Sequence, residues 1–314
     1  MADVIKCATR DAYGAALKQL GERDDILVLD ADLAKATKTI TFKKEFPDKF
    51  IDCGIAESNM MGIAAGLATT GYTVFASSFA MFAAGRAFEQ VRNSIAYPKL
   101  NVKIGATHAG ISVGEDGASH QCCEDIALMR SIPGMVIINP ADDVEAMAAV
   151  HAAAAHEGPV YMRFGRLAVP RVNAEDYKFE LGKGVELKSG NDVTIVATGL
   201  MVNEALIAAE TLKEEGIDAR VINIHTIKPI DKDILVKAAK ETGAIVTAEE
   251  HSIIGGLGSA VTEVLSEEYP VPVVRLGVND TFGKSGPALE LLKIFGLDAE
   301  NIVAKAKKAV SLKK

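Results

Sequence analysis

Two histidines and an acidic pair lie within one glycine-rich stretch, residues 107–121 (THAGISVGEDGASHQ), which we name the histidine loop. His108, Asp116 and His120 can exchange protons or form hydrogen bonds near neutral pH. A strand-like run precedes the loop and a helix-like run follows it, and α/β proteins place ligand-binding residues in such loops. We therefore predict a functional site here, although a solvated turn would use the same residue types.

The histidine loop lies in the first of two units in which strand patterns alternate with helix patterns. Strands are predicted at 26–32, 50–56, 72–78, 101–107, 135–140 and 159–165, and helices at 10–20, 57–71, 79–97, 122–131 and 142–157. Apolar strands that alternate with helices favour parallel sheets covered on both faces. The predicted fold class is α/β, with doubly wound domains at 1–168 and 191–314.

A polar stretch with Pro and Gly, residues 169–190, is predicted to link the two domains. The second unit repeats the alternation of strands and helices, and it includes one strand predicted over 218–227 (DARVINIHTI).

The composition is that of a globular protein with an acidic balance, because 49% of the 314 residues are hydrophobic and the formal net charge is -8. Nucleic-acid binders usually carry a basic face, so we expect no nucleic-acid partner. We expect no membrane span either, because no apolar run approaches the roughly 20 residues that cross a bilayer. Four cysteines without a CxxC spacing favour free thiols in the cytoplasm.

Three motifs together resemble the C-terminal half of transketolase, a thiamine-diphosphate enzyme. They are DCGIAESNM (52–60), SSFAMFAAGRAFEQVR (77–92) and GATHAGISVGEDGASHQ (105–121), the last followed by MVIINPAD (135–142). Their order and spacing match the family's pyrimidine-binding domain, and the rest of the chain matches its C-terminal domain. The resemblance therefore covers nearly the whole chain.

The family's diphosphate-binding motif, GDG followed by an Asn, is absent from this sequence. The chain therefore resembles the C-terminal subunit of a split transketolase. The resemblance implies an N-terminal partner subunit that carries the diphosphate-binding domain and the ligands of Mg2+ or Ca2+, with no metal ligand on this chain. It also implies self-dimerisation within an alpha2beta2 heterotetramer.

The resemblance assigns Glu57, Phe79, Phe82 and Asp32 to cofactor binding. Glu57 is also expected to be catalytic, because its carboxyl group would hydrogen-bond to the pyrimidine nitrogen and share a proton with it. The two phenylalanines would pack around the aminopyrimidine ring, and Gly85 replaces a third aromatic residue of the family. Without the resemblance, Glu57 would be read as a carboxylate at a helix start and the phenylalanines as core.

The same resemblance assigns the histidine loop to the sugar substrate. Asp116 would accept a hydrogen bond from a hydroxyl group of the ketose donor, and His120 would act as a catalytic residue near the reacting carbon. His108 would lie further out, toward the sugar phosphate. A site that hydrogen-bonds hydroxyl groups rejects substrates that lack them.

Arg10 and Arg163 match two family arginines that bind the substrate phosphate, for which the planar guanidinium is well suited. A family serine near the phosphate is replaced here by Ala36, so we assign that contact to the neighbouring Thr37.

The expected activity is the transfer of a two-carbon ketol unit from a ketose phosphate, such as xylulose 5-phosphate, to an aldose phosphate. One alternative is a subunit like 1-deoxyxylulose-5-phosphate synthase or like the beta subunit of a 2-oxo acid dehydrogenase, because both share the thiamine-diphosphate architecture. Another is a non-catalytic assembly module of the same fold.

Overall fold

The computed structural model describes residues 5–313, which form two α/β domains. The strands of the first domain are β1 (Lys6–Ala8), β2 (Ile26–Asp30), β3 (Phe50–Asp52), β4 (Thr73–Phe79), β5 (Val102–Thr107), β6 (Val136–Ile138), β7 (Val160–Arg163) and β8 (Ala168–Pro170). Its α-helices are α1 (Thr9–Leu20), α2 (Ala34–Thr37), α3 (Ile40–Glu45), α4 (Glu57–Ala68), α5 (Phe88–Gln90), α6 (Asp125–Arg130) and α7 (Asp143–Ala155).

The second domain begins with β9, which lies within the stretch predicted as a linker. Its strands are β9 (Val185–Lys188), β10 (Val193–Ala197), β11 (Ala219–Asn223), β12 (Thr226–Lys228), β13 (Ile245–Ser252) and β14 (Val273–Val278). Its helices are α8 (Met201–Glu214), α9 (Lys232–Thr242), α10 (Leu257–Glu268), α11 (Ala288–Ile294) and α12 (Ala299–Ser311). No described helix is both long and apolar enough to cross a bilayer.

Two extended sheets organise the domains. The first has the strand order β12-β6-β7-β5-β4-β2-β3, and the second has the order β14-β13-β10-β11-β9. Strands β2 to β7 of the first sheet run parallel, as predicted, and helices cover both faces. Phe75 in the middle of β4 is fully buried.

The prediction of parallel sheets is confirmed, but the prediction of one strand over 218–227 was wrong. This run divides into β11, in the second sheet, and β12, which crosses to pair antiparallel with β6 of the first sheet. The backbone N–H of Asn139 bonds to the carbonyl of His225 at the crossing, 2.8 Å apart. β9 is also antiparallel to its neighbour. The second domain thus supplies an edge strand that covers the open side of the first sheet.

The segment predicted as one helix over 79–97 is irregular. Phe79 ends β4, and two π-helical segments, Met81–Arg86 and Val91–Ala96, flank the short α5. Such π-helical turns are rare in proteins, and many of those that occur lie at functional sites. Here they follow directly from the carboxyl end of a central strand.

Candidate functional site

The candidate site forms at the carboxyl edge of the first sheet, where β5, β4 and β2 are neighbours. Parallel strands end at the same edge, so the loops that follow them converge. Phe79 ends β4, His108 follows β5, and α4 begins at Glu57 shortly after β3. Residues that are distant in the sequence therefore lie side by side.

Glu57 opens α4 with a carboxylate that is 1% exposed. A helix start favours an acidic side chain. Among the residues that the structure describes, Arg86 pairs with this carboxylate, and its Nη1 lies 2.8 Å from Glu57 Oε2. Arg86 was not singled out from the sequence. Because the Arg86 side chain is half exposed, the buried Glu57 carboxylate that it contacts lies close to the protein surface.

The two predicted phenylalanines lie together beside this carboxylate. Phe79 and Phe82 have ring centroids 5.9 Å apart with nearly parallel planes. His108 stacks on Phe79 at 3.8 Å between centroids, and His120 meets Phe82 edge-on at 5.4 Å. The structure thus groups four of the predicted residues into one aromatic cluster, which we name the ring cluster.

His108 is held in a left-handed backbone conformation, with φ of 56°. Its Nδ1 lies 2.9 Å from Thr107 Oγ1 and its Nε2 lies 2.8 Å from Arg10 Nη1. Arg10 can only donate, so Nε2 accepts and Nδ1 carries the proton. Burial, reinforced by the cationic Arg10 and Arg166, lowers the pKa of His108 to about 3. His108 is therefore a neutral imidazole at physiological pH.

Arg10 joins the ring cluster to the loop after β2, because its Nη1 also donates to the carbonyl of Ala36 at 3.1 Å. The neighbouring Thr37 was assigned to substrate, and the structure argues against that assignment. Its hydroxyl is fully buried and donates to Asp30 Oδ2 at 2.7 Å, which points it away from solvent. Thr39 donates to the same oxygen. Thr37 therefore fixes the shape of the loop.

Arg163 was also assigned to phosphate, and the geometry does not support that role. The side chain is buried at the interface between the domains. Its Nε donates to Asp125 Oδ2 at 2.9 Å, and its Nη2 donates to the carbonyls of Cys122 and Glu250. Burial lowers its pKa, but the carboxylates of Asp125 and Glu250 outweigh burial and raise it. Arg163 is a buried structural cation.

Arg166, three residues further on, has the position that was expected of Arg163. It is partly exposed and donates to the carbonyl of Val113 within the histidine loop. Its Nη1 lies 3.3 Å from Glu115 Oε2 and 3.9 Å from Asp116 Oδ2. Arg166 lies beyond the end of β7, whereas Arg163 is the last residue of that strand and its side chain is buried.

The other predicted residues lie at the rim. Asp116 is half exposed beside Arg166. His120 is partly buried, with Nδ1 3.0 Å from Ser119 Oγ. Asp32 is exposed in a left-handed conformation, and its backbone N–H donates to Asp52 Oδ1. Among the described residues, no side chain of the ring cluster donates a hydrogen bond to the Asp32 carboxylate.

Residues of the second domain form hydrogen bonds with the histidine loop. Glu250 Oε1 accepts the backbone N–H of Ser112 at 2.6 Å. Gln121 Nε2 donates to the carbonyls of Ile111 and Lys284. At Gly110, with φ of 79°, a Cβ would lie 2.3 Å from the Glu250 carboxyl carbon, so only glycine fits. The loop is thus shaped by both domains.

Comparison with known proteins agrees with this architecture. The family model "Transketolase, pyrimidine binding domain" matches residues 5–171, and "Transketolase, C-terminal domain" matches residues 182–302. A solved structure described as "Split gene transketolase, inactive beta4 tetramer" is 58% identical, with a TM-score of 0.90 over 98% of this chain and 99% of that chain.

Two further relatives, each one subunit of a transketolase, are similar along nearly their whole length. The 6-deoxy-6-sulfo-D-fructose transketolase subunit SqwH of Clostridium sp. is 47% identical over 95% of this chain and 92% of its own. A subunit of the apulose-4-phosphate transketolase of Phocaeicola vulgatus is 42% identical over 94% of this chain and 95% of its own. The chain, with both domains matched, belongs to the transketolase family.

Proposed function

We propose that the chain is the C-terminal subunit of a two-chain transketolase. It would transfer a two-carbon ketol unit from a ketose phosphate to an aldose phosphate. The observation that carries the proposal is the buried Glu57 carboxylate beside the ring cluster, at the edge where the sheet places ligands. The names of the relatives, which include subunits and a split-gene protein, support a second chain.

The side chains around Glu57 fit the aminopyrimidine of thiamine diphosphate. A buried carboxyl group offers a partner to a ring nitrogen, and the face of Phe82 offers a stacking surface. When bound, this cofactor supplies the electron sink for breaking the carbon–carbon bond. Glu57 would share a proton with the ring nitrogen that faces it, through a carboxylate oxygen. The partner subunit would hold the diphosphate with Mg2+ or Ca2+.

The sugar would lie near the two histidines and the two partly buried arginines, Arg10 and Arg166. His108 is buried and neutral, and both of its ring nitrogens are bonded, to Arg10 and Thr107, so it would position Arg10 rather than bind a hydroxyl group itself. His120, at the edge of Phe82, can exchange a proton with the donor oxygens near the reacting carbon. Asp116 can accept a hydroxyl hydrogen bond. Arg10 and Arg166, in place of Arg163, would bind the phosphate.

The test is to mix the purified chain with its N-terminal partner and thiamine diphosphate, and to measure glyceraldehyde 3-phosphate released from xylulose 5-phosphate. We expect turnover that requires both chains. The Glu57→Ala variant should lose at least about 100-fold in kcat, since it removes a group that acts in proton transfer. Near-normal turnover by this variant would refute the role of Glu57.

The same mixture separates the alternatives. Turnover with pyruvate and none with a ketose phosphate would favour a synthase-like or dehydrogenase-like subunit. Binding of the partner without any effect on its turnover would favour a non-catalytic assembly module. Replacing the donor by 6-deoxy-6-sulfo-D-fructose or by apulose 4-phosphate tests the sugar preference, because the relatives' names differ in the sugar.

The assembly is part of the proposal. We infer an alpha2beta2 heterotetramer in which two copies of this chain associate, and a cytoplasmic location suited to its four free thiols. Measuring the mass of the chain alone and with its partner by light scattering tests the stoichiometry. A complex with any other ratio of the two chains would exclude the heterotetramer.

A further inference from the structure

Arg86 makes both of the contacts that an aromatic cofactor ring would make in this site. Its Nη1 donates to Glu57 Oε2 at 2.8 Å. Its guanidinium carbon lies 4.5 Å from the centroid of the Phe82 ring. A guanidinium is flat and carries N–H donors in its plane, so it can stack on a ring and pair with a carboxylate at the same time.

The backbone explains why one side chain can reach both partners. Phe82 and Arg86 belong to the same π-helical segment, in which the N–H of Ala87 bonds to the carbonyl of Phe82 five residues earlier. Residues four apart lie on one helix face, which brings the guanidinium over the ring. The hydroxyl of Ser58 bonds to the Arg86 carbonyl, so the start of α4 and the end of this segment are joined.

Three side chains surround the Phe82 ring and limit the positions at which a second ring could stack on it. Phe79 lies alongside in a nearly parallel plane, and His120 approaches edge-on. The guanidinium of Arg86 covers a face of the ring. A pyrimidine that both stacks on Phe82 and meets the Glu57 carboxylate needs the space that the guanidinium fills.

We propose that Arg86 is a placeholder for the aminopyrimidine, which stabilises the buried Glu57 carboxylate until the cofactor ring displaces the guanidinium. The inference rests on the proposed function. Displacement is feasible because the Arg86 side chain is 52% exposed and can turn toward solvent or a partner subunit. The guanidinium–carboxylate pair and the cation–π contact would both be lost, so each opposes binding of the ring.

The experiment measures binding of thiamine, without its diphosphate, to the isolated full-length chain by calorimetry. Thiamine reports on the ring site alone, since the diphosphate would belong to the partner. We expect the Arg86→Met variant to bind thiamine about tenfold more tightly than the unmodified chain, as two modest contacts no longer compete. The Arg86→Lys variant should be intermediate, because an ammonium can pair with Glu57 but has no flat face to stack.

The matched control is Arg92→Met, which removes an exposed arginine from the neighbouring π-helical segment. It should bind thiamine as the unmodified chain does. Adding Glu57→Gln to either background should weaken binding, which shows that the ring occupies this site. Low concentrations of guanidinium chloride should compete with thiamine in the Arg86→Met variant, where the vacated space can accept the free ion.

Equal or weaker binding of thiamine by Arg86→Met overturns the placeholder role, and so does undetectable binding by every variant. These outcomes are separate from the proposed transferase activity, which is judged by turnover with the partner. Turnover with unchanged thiamine affinity in Arg86→Met would keep the function and reject the placeholder. Tighter thiamine binding by Arg86→Met without turnover of any sugar would keep the placeholder role and reject the proposed function.

Discussion

The Glu250 carboxylate, on β13 of the second domain, accepts a 2.6 Å hydrogen bond from the backbone N–H of Ser112 in the histidine loop. Glu250 is fully buried, and burial raises its pKa to about 6 although Arg163 and Ser112 act against it. The bond fixes the middle of the loop that carries His108 and His120. The second domain therefore contributes to the geometry of the proposed sugar site.

The Glu250→Ala variant should lose roughly 10- to 100-fold in kcat/KM for the ketose phosphate, since a small displacement of positioning groups is costly. The loss should exceed any change in thiamine affinity, because Glu57, Phe79 and Phe82 lie outside the histidine loop. Steady-state kinetics with the partner subunit measure it. The control Glu267→Ala removes an exposed carboxylate of the same domain. Equal kcat/KM in both variants would exclude positioning by Glu250.

Arg163 and Arg166 should give opposite results although only two residues separate them. Arg163→Met leaves the Asp125 carboxylate buried and unpaired, which should lower the free energy of unfolding by about 3–5 kcal/mol. Arg166→Met changes a partly exposed side chain and should leave stability within about 0.5 kcal/mol. It should instead raise KM for a phosphorylated donor more than for the same sugar without phosphate. Urea unfolding and kinetics separate the two, and an unstable Arg166→Met variant would reverse the assignment.

The Arg163 and Arg166 pair shows what the sequence could and could not predict. The motifs predicted that Glu57, Phe79 and the histidine loop lie near the carboxyl ends of strands, and the structure has them there, because a strand and the loop after it are encoded by one short segment. Arg163 was assigned to phosphate by the resemblance, which does not reveal that its side chain is buried against Asp125. Its partner, Asp125, is distant in the sequence, and no local pattern encodes that pairing.

The fold shows the same division between local and long-range information. Alternation of strands and helices predicted both parallel sheets, because each βα unit is encoded by a short segment. The crossing of β12 into the first sheet depends on its pairing with β6, which lies far away in the chain. Thr37 is a different case, since its acceptor Asp30 is only seven residues away, but the pattern does not reveal that the Thr37 hydroxyl turns inward to it.

Asp30 should make the free energy of unfolding fall as pH rises, which is opposite to the effect of most carboxylates. Burial raises its pKa from 3.8 to about 6, although Thr37, Leu33 and Thr39 donate hydrogen bonds to it. The folded state thus holds this proton more tightly than the unfolded chain. Its contribution is fully present below about pH 4 and is lost as pH rises through about 6.

The Asp30→Asn variant isolates this contribution, because asparagine cannot ionise. Between pH 4 and 6, the unmodified chain should lose about 2 kcal/mol of unfolding free energy relative to the variant, since each pKa unit corresponds to about 1.4 kcal/mol and the group is still half protonated at pH 6. Urea unfolding at several pH values measures the difference. The exposed Asp176→Asn is the control. A difference that is constant over this range would show that Asp30 is ionised throughout.

His108 should remain neutral well below the pH at which histidines usually gain a proton. Burial is the larger cause of its lowered pKa, and the Arg10 guanidinium 2.8 Å from Nε2 adds to it. Since Nε2 already accepts from Arg10, protonation would have to break that bond. We expect the ring carbon signals of His108 in NMR spectra, assigned with a His108→Gln variant, to stay constant from pH 8 to about 5.

Replacing the neighbouring cation tests the cause. In Arg10→Met, Nε2 loses its donor and the positive charge beside it, so the pKa of His108 should rise, while burial keeps it below the ordinary value of 6.5. His151, on the far helix α7 and hydrogen-bonded to Gln19, serves as an internal reference whose titration should not move. If His108 in the unmodified chain titrated near pH 6.5, the Arg10 bond would not be formed in solution. An imidazole that stays neutral can position Arg10 without responding to pH, which under the proposed function leaves proton transfer to Glu57 and His120.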